Sequence, residues 1–404
     1  MEHPFRIVII NFLICSTLIL ASCTFEDKTH KLPQFDITVD TNKINIGDYV
    51  DSYISYQSNN YSNNVSDLAI KIKYRGNTSS YHPKKNYSLK LTEQSCFIES
   101  RCHKRWKLNA SYTDKTFMRN KLSYDLFRSF SSKNIAPRIE YVQVNINNNY
   151  NGIYSLTERI DSDLLSFNIN DTNAVLFKEA PISFPTIEHN QRHIDFIAYS
   201  EWSEFYKGFS EKSMEKLIKR VYYNQRYPKF DKSNKSYLVH NLTDFIFNTT
   251  DSEFKNEQLF NSFFDLENLI DWHLLLLTTN NGDGLVKNFY LYRQGTNEPF
   301  KICPWDYDHS FGRDGGGELN LEEFISVEQA AILNRLLKTN AFNYRDKLLN
   351  KFMLLKKNDV LTSANIHSMI DKNVLVLDPF IKQNEEKWPL DNIAFFDKQS
   401  NFSS

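Results

Sequence analysis

The sequence carries almost no net charge, because 48 Lys and Arg stand against 49 Asp and Glu. No global positive field therefore indicates a nucleic-acid partner, and any anion site has to be local. Cysteine is also scarce, and the spacing of the five residues matches no zinc-site pattern. After the first 23 residues, no apolar run is long enough to span a membrane. Glycine and proline number only 11 each, so a local concentration of glycine is conspicuous where it occurs.

Aromatic residues, by contrast, make up 14% of the chain, which excludes a disordered polymer and predicts a globular protein with a sizeable core. A length of 404 residues favours two lobes or domains. The predicted divisions are a signal peptide over 1–22, a tether over 23–47, a β-rich N-lobe over 48–162 and a mainly helical C-lobe over 163–404. The fold class predicted for the two lobes together is α+β.

The N-terminus has the layout of a secretory signal, with one Arg, an uncharged run over Ile7–Leu20 and then small residues. Leu20-Ala21-Ser22-Cys23 resembles a bacterial lipobox, in which the chain is cut before the cysteine and that cysteine is acylated. We interpret Cys23 as a lipid anchor, which predicts an extracytoplasmic protein held on a bacterial membrane, at the cell surface or in the periplasm. The alternative is plain secretion with a chance cysteine at the cleavage site.

Export from the cytoplasm would place the remaining cysteines in an oxidising compartment, where disulfides form and persist. Cys96 and Cys102 could close a small disulfide loop, and Cys303 would then be left as a buried thiol.

Hydrophobic periodicity predicts the main elements. Asp67–Leu91 alternates apolar and polar residues on both sides of a polar turn, and Glu140–Ile160 alternates around an Asn/Gly turn, so each is predicted to be a hairpin. Asp114–Phe130 has apolar residues four apart, which predicts an amphipathic helix capped by its first residue. Further along, Asp265–Thr279 and Val327–Leu355 are predicted to be long apolar helices.

Acidic residues gather around one more predicted hairpin, over 280–312. The stretch "NNGDGLVKNFYLYRQ" places Asp283 between glycines in a tight loop and Asn288 before a strand, and the next strand, "FKICPWDYD", ends at Asp306 and Asp308. Carboxylates and an amide brought together in this way repel one another unless a cation binds, and such oxygen ligands suit Mg²⁺ or Mn²⁺. Asp283 and Asn288 also have the spacing of kinase catalytic loops, where the Asp orients the acceptor hydroxyl and the Asn holds a metal. Taken alone, Asp283 could simply cap a turn.

The sequence resembles the spore coat protein H-like (CotH) kinases in five blocks that occur in the family's order between Tyr74 and Gly312. The blocks are "YRGNTSSYHPKKNYSLKL", "WKLNASYTDKTFMRNKLSYDLF", "VNINNNYNGIYSLTERID", "NNGDGLVKNFYLYR" and "CPWDYDHSFG". The resemblance implies a two-lobed atypical protein-kinase-like fold and a secreted or surface enzyme that uses ATP and a divalent metal to phosphorylate serine. The sequence departs from ordinary kinases in having no Gly-rich phosphate loop and no His-Arg before Asp283.

By that resemblance Asp283 matches the family's catalytic Asp and Asp306 its metal-binding Asp, with Asn288 and Asp308 as supporting ligands. Asp308 could instead cap the bend at Phe311-Gly312. The glycines at 315–317 are placed, by analogy alone, where an ordinary kinase has its activation loop.

The resemblance also implies basic groups for ATP. Arg75 and the pair Lys84-Lys85 match a basic block expected to grip the phosphates, although the two lysines could also be a solvated hairpin tip. Glu158 and Lys178 match positions at the lobe junction, and Glu158 could equally pair with a buried Arg.

The leading hypothesis is therefore an ATP-dependent Ser/Thr kinase that acts on a surface or coat protein. A non-catalytic CotH-fold scaffold or adhesin is the alternative, and a metal-dependent hydrolase of a phosphorylated surface polymer is a weaker third.

Overall fold

Seven strands close into a barrel in the N-terminal part of the chain, in the order β1-β2-β3-β4-β5-β7-β6. The computed structural model describes residues 31–58, 64–76, 78–98, 101–178, 225–313, 325–327 and 330–389. The barrel strands are β1 (Gln34–Thr38), β2 (Val50–Gln57), β3 (Val65–Arg75), β4 (Asn86–Ile98), β5 (Arg101–Asn109), β6 (Ile139–Ile146) and β7 (Asn149–Glu158). Neighbours pair antiparallel except β1 and β6, whose parallel pairing closes the barrel. Closure leaves no free strand edge in the barrel.

The barrel confirms the two predicted N-terminal hairpins. β3 and β4 pair around the polar turn, and β6 and β7 pair around Asn147-Asn148, both of which have positive φ as a tight hairpin turn requires. The alternating residues point inward, so that Phe35, Ile72 and Trp106 fill the barrel interior.

The start of the fold differs from the prediction. The tether was predicted to reach residue 47, but β1 already lies in the barrel, with Phe35 and Ile37 buried. The strand has only five residues, and its parallel partner β6 is about 100 residues away in the chain, so no local pattern announces it.

A second sheet has the order β11-β10-β8-β9. Its strands are β8 (Val175–Lys178), β9 (Gln225–Tyr227), β10 (Phe289–Arg293) and β11 (Lys301–Pro304). One face, with Tyr290, Tyr292 and Cys303, packs against the chain that follows the barrel, whereas the other face, with Leu291 and Ile302, packs on the helices. The antiparallel β10–β11 pair is the predicted acidic hairpin.

The described helices lie mostly in the C-terminal part of the chain. They are α1 (Arg119–Phe130), α2 (Ser236–Phe247), α3 (Asp251–Phe254), α4 (Glu257–Phe263), α5 (Leu266–Thr279), α6 (Gly282–Val286), α7 (Ala331–Thr339), α8 (Tyr344–Lys357) and α9 (Ser363–Lys387). The prediction of α5 is confirmed, with the Asp265 side chain accepting the N–H of Asn268 at 3.0 Å as its N-cap. The helix predicted over Val327–Leu355 is two helices, because the chain turns at Asn340, which has left-handed backbone angles.

Helix α1 begins later than predicted, at Arg119. Asp114 does not cap it, and instead its carboxylate accepts hydrogen bonds from Thr116 and forms a buried ion pair with Arg119. The residues of the predicted cap therefore form a local turn that orients Arg119, the first residue of the helix.

The C-terminal helix α9 reaches back to the barrel. The Oδ1 of Asn384 accepts hydrogen bonds from the N–H of Ile153 and from the Lys84 ammonium, both at 3.0 Å. The Trp388 indole donates to the carbonyl of Asn151 at 2.9 Å. These contacts fix the end of α9 against β7.

The fold is mixed α+β, with a β-barrel in the N-terminal part and a largely helical C-terminal part. Cys96 and Cys102 form a disulfide, and Cys303 is a buried free thiol. None of the helices in the described ranges is long and apolar enough to cross a membrane. Cys23 and the glycines at 315–317 lie outside the described residues.

Candidate functional site

Asp283 lies on α6, a helix of one turn where a tight loop was predicted. The Asn281 side chain caps this turn by accepting the N–H of Gly284 at 2.9 Å. A Cβ on Gly284 would lie 2.9 Å from Leu276 Cδ2 and 3.0 Å from the Tyr307 hydroxyl, so only glycine fits without displacement. The Asp283 carboxylate is half-buried and forms an ion pair of 3.0 Å with the exposed Lys287.

Asn288 connects Asp283 with the acidic strand end. Its N–H donates to the Asp283 carbonyl at 3.0 Å, and its side-chain nitrogen donates to the Asp306 carbonyl at 2.8 Å. The Trp305 N–H in turn donates to the Asn288 carbonyl at 3.2 Å. With its nitrogen engaged, the amide oxygen of Asn288 is the atom left to act as a ligand. The structure thus brings Asp283, Asn288 and Asp306 together through the β10–β11 hairpin.

Helix α1 holds the other side of Asp306 through Asn120 and Tyr124, of which sequence reasoning missed Tyr124. The Asp306 N–H donates to the Tyr124 hydroxyl at 2.9 Å, and the Tyr307 N–H donates to Asn120 Oδ1 at 2.7 Å. The Tyr124 hydroxyl itself donates to Asn120 at 3.1 Å. Asp306 has a left-handed φ of 61°, which is uncommon for a residue other than glycine, and its carboxylate is exposed. The clamp from α1 therefore holds a backbone turn that presents this carboxylate outward.

Asp308 lies on the far side of the same turn. Its carbonyl accepts a hydrogen bond of 2.9 Å from the Arg313 guanidinium, whose charge also lies 3.8 Å from its carboxylate. Burial raises the pKa of Asp308 to about 7, and the neighbouring Asp306 charge adds to the rise, whereas His309 and Arg313 oppose it. Asp306 is therefore close enough to disfavour the charged form of Asp308, as expected where a cation binds.

Basic side chains from the barrel face this hairpin around Trp305. Lys107 on β5 lies with its Nζ 3.5 Å from the centroid of the Trp305 ring, and the guanidinium of Arg75 lies 5.7 Å from it. Burial lowers the pKa of Lys107 well below its ordinary value, and the charges of Arg75, Arg159 and Lys178 lower it further, whereas Asp306 opposes them. Arg75 was expected near the phosphates, and Lys178 was expected at the lobe junction. Lys107 and Arg159 were missed, because nothing in the local sequence pattern separates them from solvated lysines and arginines.

Lys84 does not lie where the predicted phosphate site would place it. It is buried inside the junction of the barrel with α9, where its ammonium donates to the carbonyls of Ala110 and Ile153 and to Asn384. An ammonium has three protons, and all three are engaged. Lys84 is therefore a structural cation, and neither the phosphate grip nor the solvated hairpin tip describes it.

Glu158 is also interior. Its carboxylate accepts the N–H of Arg138 at 2.8 Å and lies 3.2 Å from His103 Nε2, and its charge acts on Arg128. The alternative of a structural partner for buried cations fits this placement, and contact with a nucleotide does not.

Lys85, by contrast, lies at the edge of the site. Its ammonium donates to the Ser80 carbonyl at 2.8 Å, and together with Arg313 it lowers the pKa of His82, after burial as the main cause. The turn between β3 and β4 therefore faces the Asp308 side of the hairpin.

The donor set suits a hard divalent cation in its chemistry: exposed Asp306, half-buried Asp308 and the amide oxygen of Asn288. Among the residues that the structure describes, no group of three or more His, Cys, Asp or Glu side chains converges to hold a metal ion. The candidate set therefore consists of two carboxylates and an amide, with Asp283 beside it.

Two comparisons with known proteins find sequences similar to this chain. The family model described as CotH kinase protein matches residues 72–402, which include every residue of the hairpin site. A curated relative, inner spore coat protein H of Bacillus subtilis (strain 168), is 25% identical over 329 residues, which cover 80% of this chain and 83% of that protein.

Proposed function

The chain belongs to the CotH kinase protein family, and from this premise we propose that it is a kinase that transfers the γ-phosphate of ATP to Ser or Thr of a surface or coat protein. The observation that carries the proposal is the hydrogen-bonded chain from Asp283 through Asn288 to Asp306, with basic groups of the barrel facing it. Phosphoryl transfer needs such an arrangement, because the phosphate oxygens must be neutralised while the acceptor is held in line.

Asp283 is the group that would orient the acceptor hydroxyl and accept its proton. It is half-buried, held by the capped turn of α6, and its ion pair with Lys287 keeps a cation at the place where phosphate charge develops. Asn288, Asp306 and Asp308 would hold Mg²⁺ or Mn²⁺, which when bound supplies charge neutralisation at the β- and γ-phosphates. The clamp from Asn120 and Tyr124 on α1 sets the direction of the Asp306 carboxylate.

A two-lobed kinase-like arrangement belongs to the same proposal. The barrel would be the lobe that contributes Arg75, and the β10–β11 hairpin with the helices would be the lobe that contributes Asp283. The acidic hairpin facing a basic barrel edge supports this arrangement.

The proposed location is extracytoplasmic. The relative's printed name places that protein in the inner spore coat, and the lipobox at Cys23 would tether this chain to a membrane. Labelling cells with a radioactive fatty acid tests the anchor: wild-type protein should carry the label and Cys23→Ala should not. Equal labelling of both forms would contradict it.

The kinase proposal is tested by incubating the purified chain with γ-labelled ATP, Mn²⁺ or Mg²⁺ and a generic protein acceptor. Wild type and the control Asp371→Ala, an exposed acid on α9, should label the acceptor, whereas Asp283→Ala and Asp306→Ala should not. Labelling that survives both site substitutions would contradict the assignment.

The alternative of a non-catalytic scaffold is favoured by one finding, the name of the relative as a coat protein. Nucleotide binding without any transfer in the same assay would favour that alternative.

A further inference from the structure

We propose that helix α8 is a membrane-docking surface, which lies flat on an anionic phospholipid bilayer and inserts its outward apolar side chains among the lipids. The inference rests on the proposed extracytoplasmic anchor at Cys23, and it does not depend on the proposed transfer reaction. It assigns a partner to a face of the helix that the fold itself does not use.

The inner face of α8 is complete without the outward side chains. One residue in each turn faces the protein, in the order Tyr344, Leu348, Lys351 and Leu355. Tyr344 and Leu355 are buried in the main hydrophobic cluster, against which Leu348 packs. Lys351 forms a buried ion pair of 2.9 Å with Asp271 of α5. A surface helix with such an inner face normally has polar residues on its outer face.

The outer face of α8 is instead largely apolar. Four large hydrophobic side chains are exposed there, with exposed fractions of 58% for Leu349, 37% for Phe352, 54% for Met353 and 50% for Leu354. Single exposed apolar residues are common on protein surfaces, but these four lie within six consecutive residues and form one patch. A patch of this kind indicates a binding surface for a protein or a membrane.

Basic side chains at both ends of the helix favour a bilayer as the partner. Arg345, Lys356 and Lys357 are exposed, and Asp346 is the one acid within α8. A second copy docked on this face would meet like charge in either orientation, because both ends carry cations. An anionic bilayer attracts these cations, and their aliphatic stems can cover apolar surface while the charged groups stay at the lipid headgroups.

The short segment between the anchor and the fold also supports a bilayer. Eight residues, 24–31, separate Cys23 from Leu32, the first buried residue of the described chain. Fully extended, this segment reaches about 30 Å. Leu32 belongs to the same hydrophobic cluster as Tyr344 and Leu355 of α8. A protein anchored at Cys23 therefore keeps the start of its folded part within about 30 Å of the membrane.

The test places a polarity-sensitive dye on α8, at Asn350→Cys, in the full acylated chain reconstituted in lipid vesicles. Cys96 and Cys102 are paired and Cys303 is buried, so the new exposed thiol is labelled selectively. Vesicles of phosphatidylglycerol and phosphatidylcholine should shift the dye emission to the blue, and a quencher attached to the lipid tails should dim it. The same dye at Ile169→Cys, an exposed apolar position outside the helices, should show neither change.

Two double variants of the labelled protein separate the apolar from the electrostatic contribution. Leu349→Ser with Met353→Ser should lower the ratio of docked to undocked protein by about tenfold or more, because two apolar side chains no longer enter the lipid. Lys356→Gln with Lys357→Gln should lower the same ratio by about tenfold or more, as expected for two charges beside an anionic surface.

The matched control is Lys104→Gln with Arg105→Gln, which removes two exposed charges from β5. It should dock like wild type. Equal melting temperatures of all the variants show that they are folded.

Three results would overturn the inference. The first is a dye at Asn350→Cys whose emission stays that of water on phosphatidylglycerol vesicles. The second is docking that survives Leu349→Ser with Met353→Ser. The third is a shift that grows with protein concentration and depends neither on phosphatidylglycerol nor on the lipid quencher, which would identify a second copy or another protein as the occupant. A secreted chain that carries no fatty acid but shows the shift on added anionic vesicles would sustain the surface and refute the anchor at Cys23.

Discussion

Asp283 is positioned by the small residue that follows it. At Gly284 an added methyl group would meet the side chain of Leu276 and the hydroxyl of Tyr307, both of which belong to fully buried residues. At Gly282, one residue before Asp283, an added methyl group would meet, among the residues that the structure describes, only Ile325 Cγ2 at 3.7 Å, an ordinary contact. The two glycines that bracket Asp283 in the sequence therefore have different roles.

Gly284→Ala is predicted to displace α6 and with it the Asp283 carboxylate. Displacement of a catalytic group by about 1 Å can lower the rate of transfer by about a hundredfold. We expect kcat to fall by at least tenfold in Gly284→Ala and to stay within twofold of wild type in Gly282→Ala, as measured by labelled-phosphate transfer. Equal kcat values in the two variants would contradict the packing argument.

The lysines illustrate what a sequence can and cannot predict at this scale. Lys84 and Lys85 are adjacent in a basic stretch, yet Lys84 is buried with three acceptors and Lys85 is half-buried at the site edge. Lys107 has no distinguishing neighbours in the sequence and nevertheless lies over Trp305. Burial of a lysine depends on which carbonyls and rings the fold brings from elsewhere, and a single sequence does not contain that information.

At the scale of elements, α9 stabilises the barrel through Asn384. Removing that side chain takes one acceptor from the buried Lys84 ammonium and takes from the N–H of Ile153 the acceptor to which it donates. Each buried donor left without its acceptor costs about 1–3 kcal/mol.

Asn384→Ala leaves two buried donors without this acceptor and is therefore predicted to lower the free energy of unfolding by about 3 kcal/mol in chemical denaturation. The matched control is Asn373→Ala on the same helix, whose side chain makes a local bond to the carbonyl of Met369. It should lose less than about 1 kcal/mol. An equal loss of stability in the two variants would refute the role given to α9.

The contact of α5 with α8 contains a buried imidazole. His273 Nδ1 lies 2.9 Å from the Tyr344 hydroxyl, and burial lowers the pKa of His273 to about 4. In the unfolded chain the ordinary value is about 6.5, so between these values the unfolded state binds a proton that the folded state does not. This contribution to stability is complete above about pH 6.5 and is lost as the pH falls toward 4.

We expect acidification from pH 7 to 4.5 to destabilise wild type more than His273→Asn, by up to about 3 kcal/mol. Comparing the two proteins cancels the titration of all other groups to first order. Urea unfolding at both pH values measures the difference. Parallel loss of stability in the two proteins would show that His273 is not buried in its neutral form.

For the whole molecule, the elements with strong local patterns were predictable. The β3–β4 and β6–β7 hairpins, helix α5 and the β10–β11 hairpin with Asp283, Asn288 and Asp306 follow from periodicity and turn residues. What was missed depends on distant contacts: β1 closes the barrel against β6, Tyr124 of α1 holds the acidic turn, and Asn384 of α9 reaches β7. Such pairings connect segments about 100 residues or more apart, and no local pattern specifies them.

The most direct test of the central claim measures ATP affinity and phosphate transfer together in Asp283→Asn. This substitution keeps the size of the side chain and removes its negative charge, and with it both the ability to accept the proton of the acceptor hydroxyl and the ion pair with Lys287. The account predicts a Kd for ATP within about threefold of wild type and a kcat lower by at least about a hundredfold. Transfer by Asp283→Asn at the wild-type rate, with Mn²⁺ or Mg²⁺ present, would contradict it.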